Sequence, residues 1–144
     1  MKYHGERWLS RPLGLLLSQV ALAFCHADMV VPIPLGAASK KTRGYNQARD
    51  LAVEVSGKIS LPLADILVRE EVRDHQAQLN RLGRWQNLKG TMKTADYCNI
   101  NGAQVLVVDD VTTTGATLDE AARALKHAGA ENVFCVTLAR TVRH

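Results

Sequence analysis

The chain is 144 residues long, with 47% hydrophobic residues, 22% charged residues and a formal net charge of +4. This length is ordinary for one domain and this composition for a globular protein, which excludes an intrinsically disordered chain and a long multidomain protein. The positive charge favours anionic partners such as nucleic acid, phosphorylated metabolites or acidic lipid.

An apolar stretch over residues 13–24 follows a basic amino terminus, a pattern shared by secretory signals and buried helices. It is too short for a membrane span, which needs about 20 apolar residues. Phe24 also stands where a cleavage site needs a small residue. Ser10 suits a helix cap and Pro12 suits the first turn. We therefore expect residues 1–28 to form a helical segment that packs on the core, with no membrane partner.

A β-branched run over residues 29–35 predicts the first strand, and apolar residues at helical spacing over 46–58 predict the helix after it. Another helix is expected over 117–128, where Gly129 has the position of a left-handed carboxyl-terminal cap. The segment 71–87 is polar and long for a plain connection, which indicates a functional loop or a short surface helix. Further strands are predicted over 64–70, 89–94, 104–109 and 132–138.

The segment 104–109 reads QVLVVD and shows almost no alternation of apolar and polar residues. Strands of this kind are buried on both faces and belong to parallel sheets covered by helices. The sequence thus predicts an α/β fold with a doubly wound parallel sheet and helices on both faces, formed by residues 29–144 as a single domain.

Two adjacent carboxylates, Asp109 and Asp110, stand at the end of that strand, where open α/β sheets bind their ligands. The turn 111–117 offers successive backbone N–H groups, threonine hydroxyls and a glycine at the positive end of a helix, features that suit a phosphate. Acids beside a phosphate site are useful if they face ribose hydroxyls, Mg²⁺ or a developing cation, and phosphoribosyl pyrophosphate (PRPP) combines these demands. The simpler interpretation is that Asp110 and the threonines only cap the helix.

The stretch VVDDVTTTGAT, residues 107–117, resembles the PRPP-binding signature of type I phosphoribosyltransferases. VPIPLGAASKKTRGYNQARDLA, residues 31–52, is similar to the ComF/GntX family of competence and DNA-utilisation proteins. Arg69, Gln76, Leu79, Arg84 and the run NLKG at 87–90 match the same family. Its members commonly carry a cysteine-rich zinc-binding segment ahead of the transferase domain. This sequence has none, so we expect a short homologue or a truncated start.

The resemblance implies a type I phosphoribosyltransferase fold and a role for each matching residue. Asp109 and Asp110 would be catalytic and would face the ribose hydroxyls and Mg²⁺ through PRPP. The 5′-phosphate would be held by Val111, Thr112, Thr113, Thr114, Gly115, Ala116 and Thr117. The pyrophosphate would contact Pro32, Ile33, Pro34, Leu35, Lys40, Lys41 and Arg43, of which Lys40 and Lys41 equally fit a solvated basic loop. A flexible catalytic loop would contain Arg73, Gln76, Arg81 and Arg84, for which a solvated surface is the alternative.

The element RGYNQ at residues 43–47 adds a second candidate. A glycine before an aromatic residue and an amide at a helix start indicates a fixed backbone with a functional role. Asn46 acting as a plain helix cap would explain part of the pattern.

The implied activity is transfer of the phosphoribosyl group of PRPP, with Mg²⁺, to an unidentified acceptor. Two other functions stay open, a non-catalytic PRPP sensor and an accessory role in DNA uptake. The net charge favours the latter, although Trp8 and Trp85 are too scattered for a base-stacking platform. A homodimer through the apolar helix is a further candidate assembly. The three cysteines are odd in number and widely spaced, so we expect no disulfide framework and a cytoplasmic location.

Overall fold

The computed structural model describes residues 9–70 and 90–141, and of residues 37–39 it describes the backbone alone. The helices in these ranges are α1 (Ser10–Ala21), α2 (Ala37–Arg43), α3 (Gln47–Ile59) and α4 (Ala116–His127). A 3₁₀ turn, Leu22–Phe24, follows α1. The strands are β1 (Met29–Pro32), β2 (Leu67–Arg69), β3 (Met92–Thr94), β4 (Gln104–Thr112) and β5 (Asn132–Arg140).

A parallel sheet with the order β1-β4-β5 forms the centre of the fold. β4 is buried from Val105 to Asp109, as its unbroken apolar sequence predicts. On the other side of β1, Leu63 makes a single parallel bridge to Val30. The predicted parallel sheet is therefore confirmed, with β4 between its two neighbours.

The alternation of side chains along β4 divides the core into two clusters, one on each face of the sheet. Val105 and Val107 pack with residues of α4, whereas Leu106 and Val108 pack with residues of α1 and α3. Each of these β4 side chains is fully buried, a burial that contributes about 1.5–3 kcal/mol per residue of this size. Helices cover both faces, which confirms the predicted fold class.

β2 and β3 lie outside the parallel sheet and form an antiparallel pair in which Arg69 is opposite Met92. The sequence predicts both strands but not this separate pairing. Strands of three residues carry too little alternation to indicate a partner or a direction.

The ends of β1 and β4 differ from their predictions, and one short helix was not predicted, each for a local reason. β1 ends at Pro32 rather than at residue 35, because Pro32 and Pro34 lack the N–H that a longer ladder requires. β4 continues past Asp109 to Thr112, because its last residues pair with the equally extended end of β5. Helix α2 was not predicted, since AASKKTR has no apolar period.

The cap predictions at two helix ends had opposite outcomes. Gly129 has a φ of +108° and its N–H bonds the carbonyl of Lys126 at 3.0 Å, which confirms the left-handed cap of α4. The prediction that Ser10 caps α1 is wrong. Ser10 is already the first helical residue, Leu9 precedes it, and no side chain caps this helix end.

Helix α1 packs closely against α3 because Gly14 has no side chain. A Cβ atom there would overlap the Cβ of Glu54. The Ser18 hydroxyl donates to the Gly14 carbonyl at 2.6 Å and is thereby satisfied inside the packed face. The opposite flank is apolar and open, with Leu16 63% exposed and Val20 59% exposed. Within residues 9–70 and 90–141, no helix combines the length and hydropathy needed to cross a bilayer.

Candidate active site

The carboxyl ends of β1 and β4 are adjacent because the two strands run parallel, and the loop after β1 therefore lies beside the acid pair of β4. Pro32 is opposite Val108 in the ladder, and the Ile33 N–H donates to the Val108 carbonyl at 3.0 Å. This bond holds the start of loop 33–36 against β4, one residue before Asp109. The juxtaposition is the one expected at the ligand-binding edge of an open α/β sheet.

Asn46 joins this loop to helix α3. Its Nδ2 donates to the Ile33 carbonyl at 2.9 Å, and its Oδ1 accepts the Arg49 N–H at 3.3 Å as the cap of α3. One amide side chain thus satisfies a loop carbonyl and a helix N–H together. The predicted cap is confirmed, and the second bond shows that Asn46 also positions the loop.

Asp109 and Asp110 each accept a backbone hydrogen bond from the residue that follows. The Asp110 N–H donates to Asp109 Oδ1 at 2.8 Å, and the Val111 N–H donates to Asp110 Oδ1 at 2.7 Å. Asp109 is 7% exposed, whereas Asp110 is half-buried. Both acids lie inside β4 rather than beyond its end, so the strand ladder fixes their backbone.

Burial raises the pKa of Asp109 to about 7, and the neighbouring Asp110 carboxylate adds to the rise. The hydrogen bond from the Asp110 N–H and the positive charge of Arg69 act in the opposite direction. A carboxyl group with a pKa near neutrality is typical of functional sites, because such sites often combine a buried carboxyl group with a nearby charge of the same sign.

A cleft of about 160 Å³ opens in front of these acids, and we call it the carboxylate cleft. Its walls come from four parts of the chain. These are loop 33–36, the last residue of α2 with the start of α3, the end of β2, and the end of β4 with the first turn of α4. The lining residues are Ile33, Pro34, Leu35, Gly36, Arg43, Asn46, Gln47, Ala48, Arg69, Asp109, Asp110, Val111 and Thr117.

The carboxylate cleft brings together about half of the described residues for which the sequence predicts a site role. Present are both acids, three loop residues and Arg43, together with Val111 and Thr117 at the two ends of the predicted phosphate turn. Pro32, Lys40, Lys41 and residues 112–116 do not line it. The predicted loop residues Arg73, Gln76, Arg81 and Arg84 lie outside the described residues.

The turn after β4 has the strand–turn–helix geometry that the sequence predicts. Gly115 has a φ of +82° and directly precedes α4, so the chain enters the helix from a left-handed residue. The Thr114 hydroxyl accepts the Ala116 N–H at 3.3 Å, which satisfies one of the helix-start donors. Asp119 lies in the first turn of the same helix. The positive end of α4 therefore faces the same edge of the sheet as the acid pair.

Arg69 is the cleft residue whose position the sequence did not indicate. It is half-buried at the end of β2, and a Cβ atom on Gly36 would lie 3.6 Å from its Nη1. Its guanidinium thus packs over loop 33–36 while its charge acts on Asp109. The sequence marked Arg69 only through the family resemblance, which was the one available signal.

A second cleft of about 310 Å³ lies beside the first and shares Pro34, Leu35 and Asn46 with it. Lys40 lines this second cleft instead of the carboxylate cleft, together with Tyr45. Lys41 is exposed on α2. The two lysines of the basic loop are therefore placed beside the site rather than in it.

The donor atoms in the carboxylate cleft suit Mg²⁺ in their chemistry. Asp109 and Asp110 offer hard carboxylate oxygens, and each makes its backbone bond through Oδ1. Across residues 9–70 and 90–141, no cluster of three or more histidine, cysteine or acidic residues could hold a metal ion alone. Mg²⁺ usually binds through one or two carboxylates plus the phosphates of a substrate, and the acid pair fits that arrangement.

The sequence profile of the phosphoribosyl transferase domain matches residues 26–143. Competence protein F of Haemophilus influenzae is 32% identical over 151 residues, which cover 96% of this chain and 64% of that protein. Competence protein ComFC of Streptococcus pneumoniae is 30% identical over 141 residues, which cover 96% of this chain and 60% of that protein. The chain thus spans less than two thirds of the length of these relatives.

The fold itself recurs among solved structures. A purine phosphoribosyltransferase from Pyrococcus horikoshii superimposes with a TM-score of 0.61 at 18% identity, covering 92% of this chain and 73% of that one. An allosteric regulatory enzyme of purine biosynthesis gives a TM-score of 0.62 at 20% identity, covering 90% of this chain and 25% of that one. Together the profile, the relatives and the fold confirm the resemblance that the sequence motifs indicated. The chain belongs to the phosphoribosyl transferase domain family, with competence proteins of the ComF type among its relatives.

Proposed function

We propose that the protein binds PRPP together with Mg²⁺ and transfers its phosphoribosyl group to an acceptor that is not yet identified. The observation that carries this proposal is the carboxylate cleft, where an acid pair, two arginines and the positive end of a helix surround one space. PRPP has a phosphate at one end, a pyrophosphate at the other and a ribose between them. The cleft offers cationic groups for the two phosphate-bearing ends and carboxylates for the ribose.

The 5′-phosphate belongs at the turn 111–117. Gly115 keeps the backbone open there, since a Cβ atom on it would meet nothing within 4 Å. Backbone N–H groups at the start of α4 and the threonine hydroxyls would donate to the phosphate oxygens. Thr114 accepts the Ala116 N–H through its oxygen, so its hydroxyl proton would donate to the ligand without loss of that bond.

The pyrophosphate belongs at loop 33–36, which lines the same cleft as the acids. Arg43 and Arg69 line the cleft there. One guanidinium group can donate two parallel hydrogen bonds to phosphate oxygens. Arg43 also contacts Gln47, with 3.4 Å between Nη1 and Oε1, which keeps it near the start of α3. Lys40 and Lys41 stand on the same helix as Arg43 and would add charge around the pyrophosphate when it is bound.

The acid pair belongs at the ribose. Oδ2 of Asp109 and of Asp110 would face the ribose hydroxyls and the metal ion. Mg²⁺, when bound, would neutralise charge on the departing pyrophosphate. The carboxylates would stabilise the positive charge that develops at the sugar.

The reaction is a displacement at C1 of the ribose. The C1–O bond to pyrophosphate breaks with its electron pair on the leaving oxygen, and the acceptor donates a pair to form the new bond to C1. The protein contributes by holding both ends of PRPP and by placing negative charge beside the ring. No nucleophilic side chain takes part in this scheme.

A direct test measures pyrophosphate release from PRPP and Mg²⁺ with purine, pyrimidine and ammonium acceptors in turn. Release with one acceptor class, lost in Asp109→Asn/Asp110→Asn, is the expected result. Absence of release with every acceptor, while PRPP still binds, would replace the transferase by a non-catalytic PRPP sensor. That second candidate is favoured by the names of the two competence proteins that match nearly the whole chain, which do not refer to a transfer reaction.

We also propose that two copies of the chain associate through the open flank of α1. Leu9, Leu13, Leu16 and Val20 are all exposed and follow one another at intervals of four, three and four residues, which places them on one stripe. The stripe carries no charge and therefore fits a second copy of itself. Light scattering should report a dimer that Leu16→Glu/Val20→Glu converts to a monomer. A salt-sensitive shift of single-stranded DNA that persists in this variant would instead favour the nucleic-acid partner.

A cytoplasmic location, expected from the unpaired cysteines, is also part of the proposal.

A further inference from the structure

An ion pair on α4, with its acid buried and its base partly exposed, holds one residue of β3 by both of its backbone polar groups. Glu120 Oε1 accepts the Met92 N–H at 3.1 Å, and Arg123 Nη2 donates to the Met92 carbonyl at 2.9 Å. Arg123 binds Glu120 through two nitrogens, Nε to Oε2 and Nη2 to Oε1, each at 2.8 Å. We call this arrangement the Met92 clamp. Glu120 is only 4% exposed, whereas the Arg123 side chain is 38% exposed.

The Met92 clamp is an unusual way to fasten a strand whose purpose is packing alone. Such an ion pair is weak evidence for stability, since desolvation of the buried Glu120 carboxylate offsets part of its attraction to Arg123. The two bonds to Met92 do, however, fix the position of β3 relative to α4. We infer that this position is what the charged pair provides.

Met92 is directly opposite Arg69 in the antiparallel β2–β3 pair. The pair is only three residues long, and the Glu70 N–H to Thr91 carbonyl bond at 2.7 Å extends it by one step. A movement of Met92 therefore moves Arg69 with it. Arg69 in turn lines the carboxylate cleft and lies over loop 33–36.

Helix α4 also carries the phosphate turn at its amino end. Gly115 immediately precedes the helix, and Glu120 lies five residues later, just over one helical turn away. One helix therefore follows the turn proposed for the 5′-phosphate and also carries the Met92 clamp. The clamp in turn positions Arg69, which is proposed to bind the pyrophosphate.

We propose that Glu120 and Arg123 are positioning residues that hold Arg69 at a set distance from the turn 111–117, so that α4 spaces the two anionic ends of bound PRPP. This inference rests on the proposed function, because it assigns the pyrophosphate end to Arg69. It adds two residues that neither line the cleft nor touch the ligand.

The test separates the two ends of PRPP by titrating ribose 5-phosphate and magnesium pyrophosphate as individual probes. In Glu120→Gln and in Arg123→Met, affinity for magnesium pyrophosphate should fall about tenfold or more, since small misplacements of a binding group are costly. Affinity for ribose 5-phosphate should stay within about twofold, because the turn itself is unchanged. Equal losses for both probes would mean that the clamp only supports the fold, and would overturn the proposal.

A double-mutant cycle checks that the effect passes through Arg69. Arg69→Gln alone should lower magnesium pyrophosphate affinity to a similar extent, and Glu120→Gln/Arg69→Gln should lower it no further. Additive losses would contradict the coupling. Glu131→Gln removes the same charge from an exposed position before β5 and should leave both affinities unchanged.

A ligand-free measurement keeps this inference distinct from the proposed function. In Glu120→Gln, but not in Glu131→Gln, the Arg69 Nε–H resonance should move and the Met92 amide should exchange faster. If the unaltered protein binds neither probe nor PRPP, the proposed function fails, and these signals still test the clamp. An unmoved Arg69 resonance would contradict the positioning role in either case.

Discussion

Asn46 donates from Nδ2 to the carbonyl of Ile33 across 2.9 Å and so ties the start of α3 to the loop that follows β1. The two residues are thirteen positions apart, and helix α2 lies between them. Because Ile33 also bonds the Val108 carbonyl, a single path of hydrogen bonds leads from α3 through the loop to the strand that carries Asp109. The loop is thus held from both sides before any ligand binds.

Substitution of Asn46 should therefore affect both stability and ligand binding. Asn46→Ala removes the helix cap and the loop anchor and should lower the free energy of unfolding by about 1–2 kcal/mol. Asn46→Asp keeps an oxygen that can cap α3 but cannot donate to Ile33. We expect it to lose less stability than Asn46→Ala and to weaken PRPP binding as much. Urea denaturation and PRPP titration of both variants check this, and an Asn46→Asp protein with full PRPP affinity would exclude the loop anchor.

Two glycines provide a matched test of the phosphate turn. Gly115 has a φ of +82°, so Gly115→Ala should destabilise the fold by about 1–2 kcal/mol although no atom blocks the new methyl group. Gly57 lies inside α3 with open space around it, and Gly57→Ala should stabilise the fold by about 0.4–1 kcal/mol. The same chemical change thus has opposite signs at the two sites. Thermal unfolding of the two variants measures it, and a shared sign would contradict the left-handed turn.

The pH dependence of stability should report the buried carboxyl of Asp109. Its folded pKa is raised to about 7 from the ordinary value of 3.8, so the folded state binds more protons than the unfolded state between these values. Stability contributed by the protonated group is complete below pH 4 and falls as pH rises toward 7, by about 1.4 kcal/mol per pH unit. Asp109→Asn removes this loss.

The Asp109→Asn variant should consequently gain stability relative to the unaltered protein as pH rises from 5 to 8. Urea denaturation at these two values gives the difference directly. A gain that is the same at both pH values would mean that Asp109 is ionised throughout, and would contradict the effect of burial. A stability gain combined with lost PRPP binding is the pattern expected when a carboxylate is retained for function.

The sequence predicts the acid pair and its neighbours well because they depend on local patterns. QVLVVD is long enough to indicate a buried parallel strand, and the carboxyl ends of parallel strands meet at one edge. The family resemblance implied that Asp109 and the loop from Pro32 to Leu35 serve one site, and three residues of that loop line the same cleft as Asp109. The Asn46 cap follows in the same way from its place before an apolar helical repeat.

Arg69 and the Met92 clamp depend instead on pairing between short strands. β2 and β3 have three residues each, so no periodicity indicates that they pair antiparallel or that Arg69 is opposite Met92. Glu120 and Arg123 read as ordinary charged positions on a helix, and only the packed structure shows that Glu120 is buried against a strand. Lys40 illustrates the reverse case, since its charge suggested the cleft but α2 places it beside Tyr45 in the second cleft.

Calorimetric titration with PRPP, in the presence and absence of Mg²⁺, tests the central claim most directly. The proteins to compare are the unaltered chain, Asp109→Asn/Asp110→Asn, and Asp96→Asn/Glu131→Gln, which removes the same charge from two exposed positions. We predict Mg²⁺-dependent binding to the unaltered chain and to the exposed-site control, and none to the acid-pair variant. Binding that the acid-pair variant retains in full, or that no protein shows, would contradict the assignment of this cleft to PRPP.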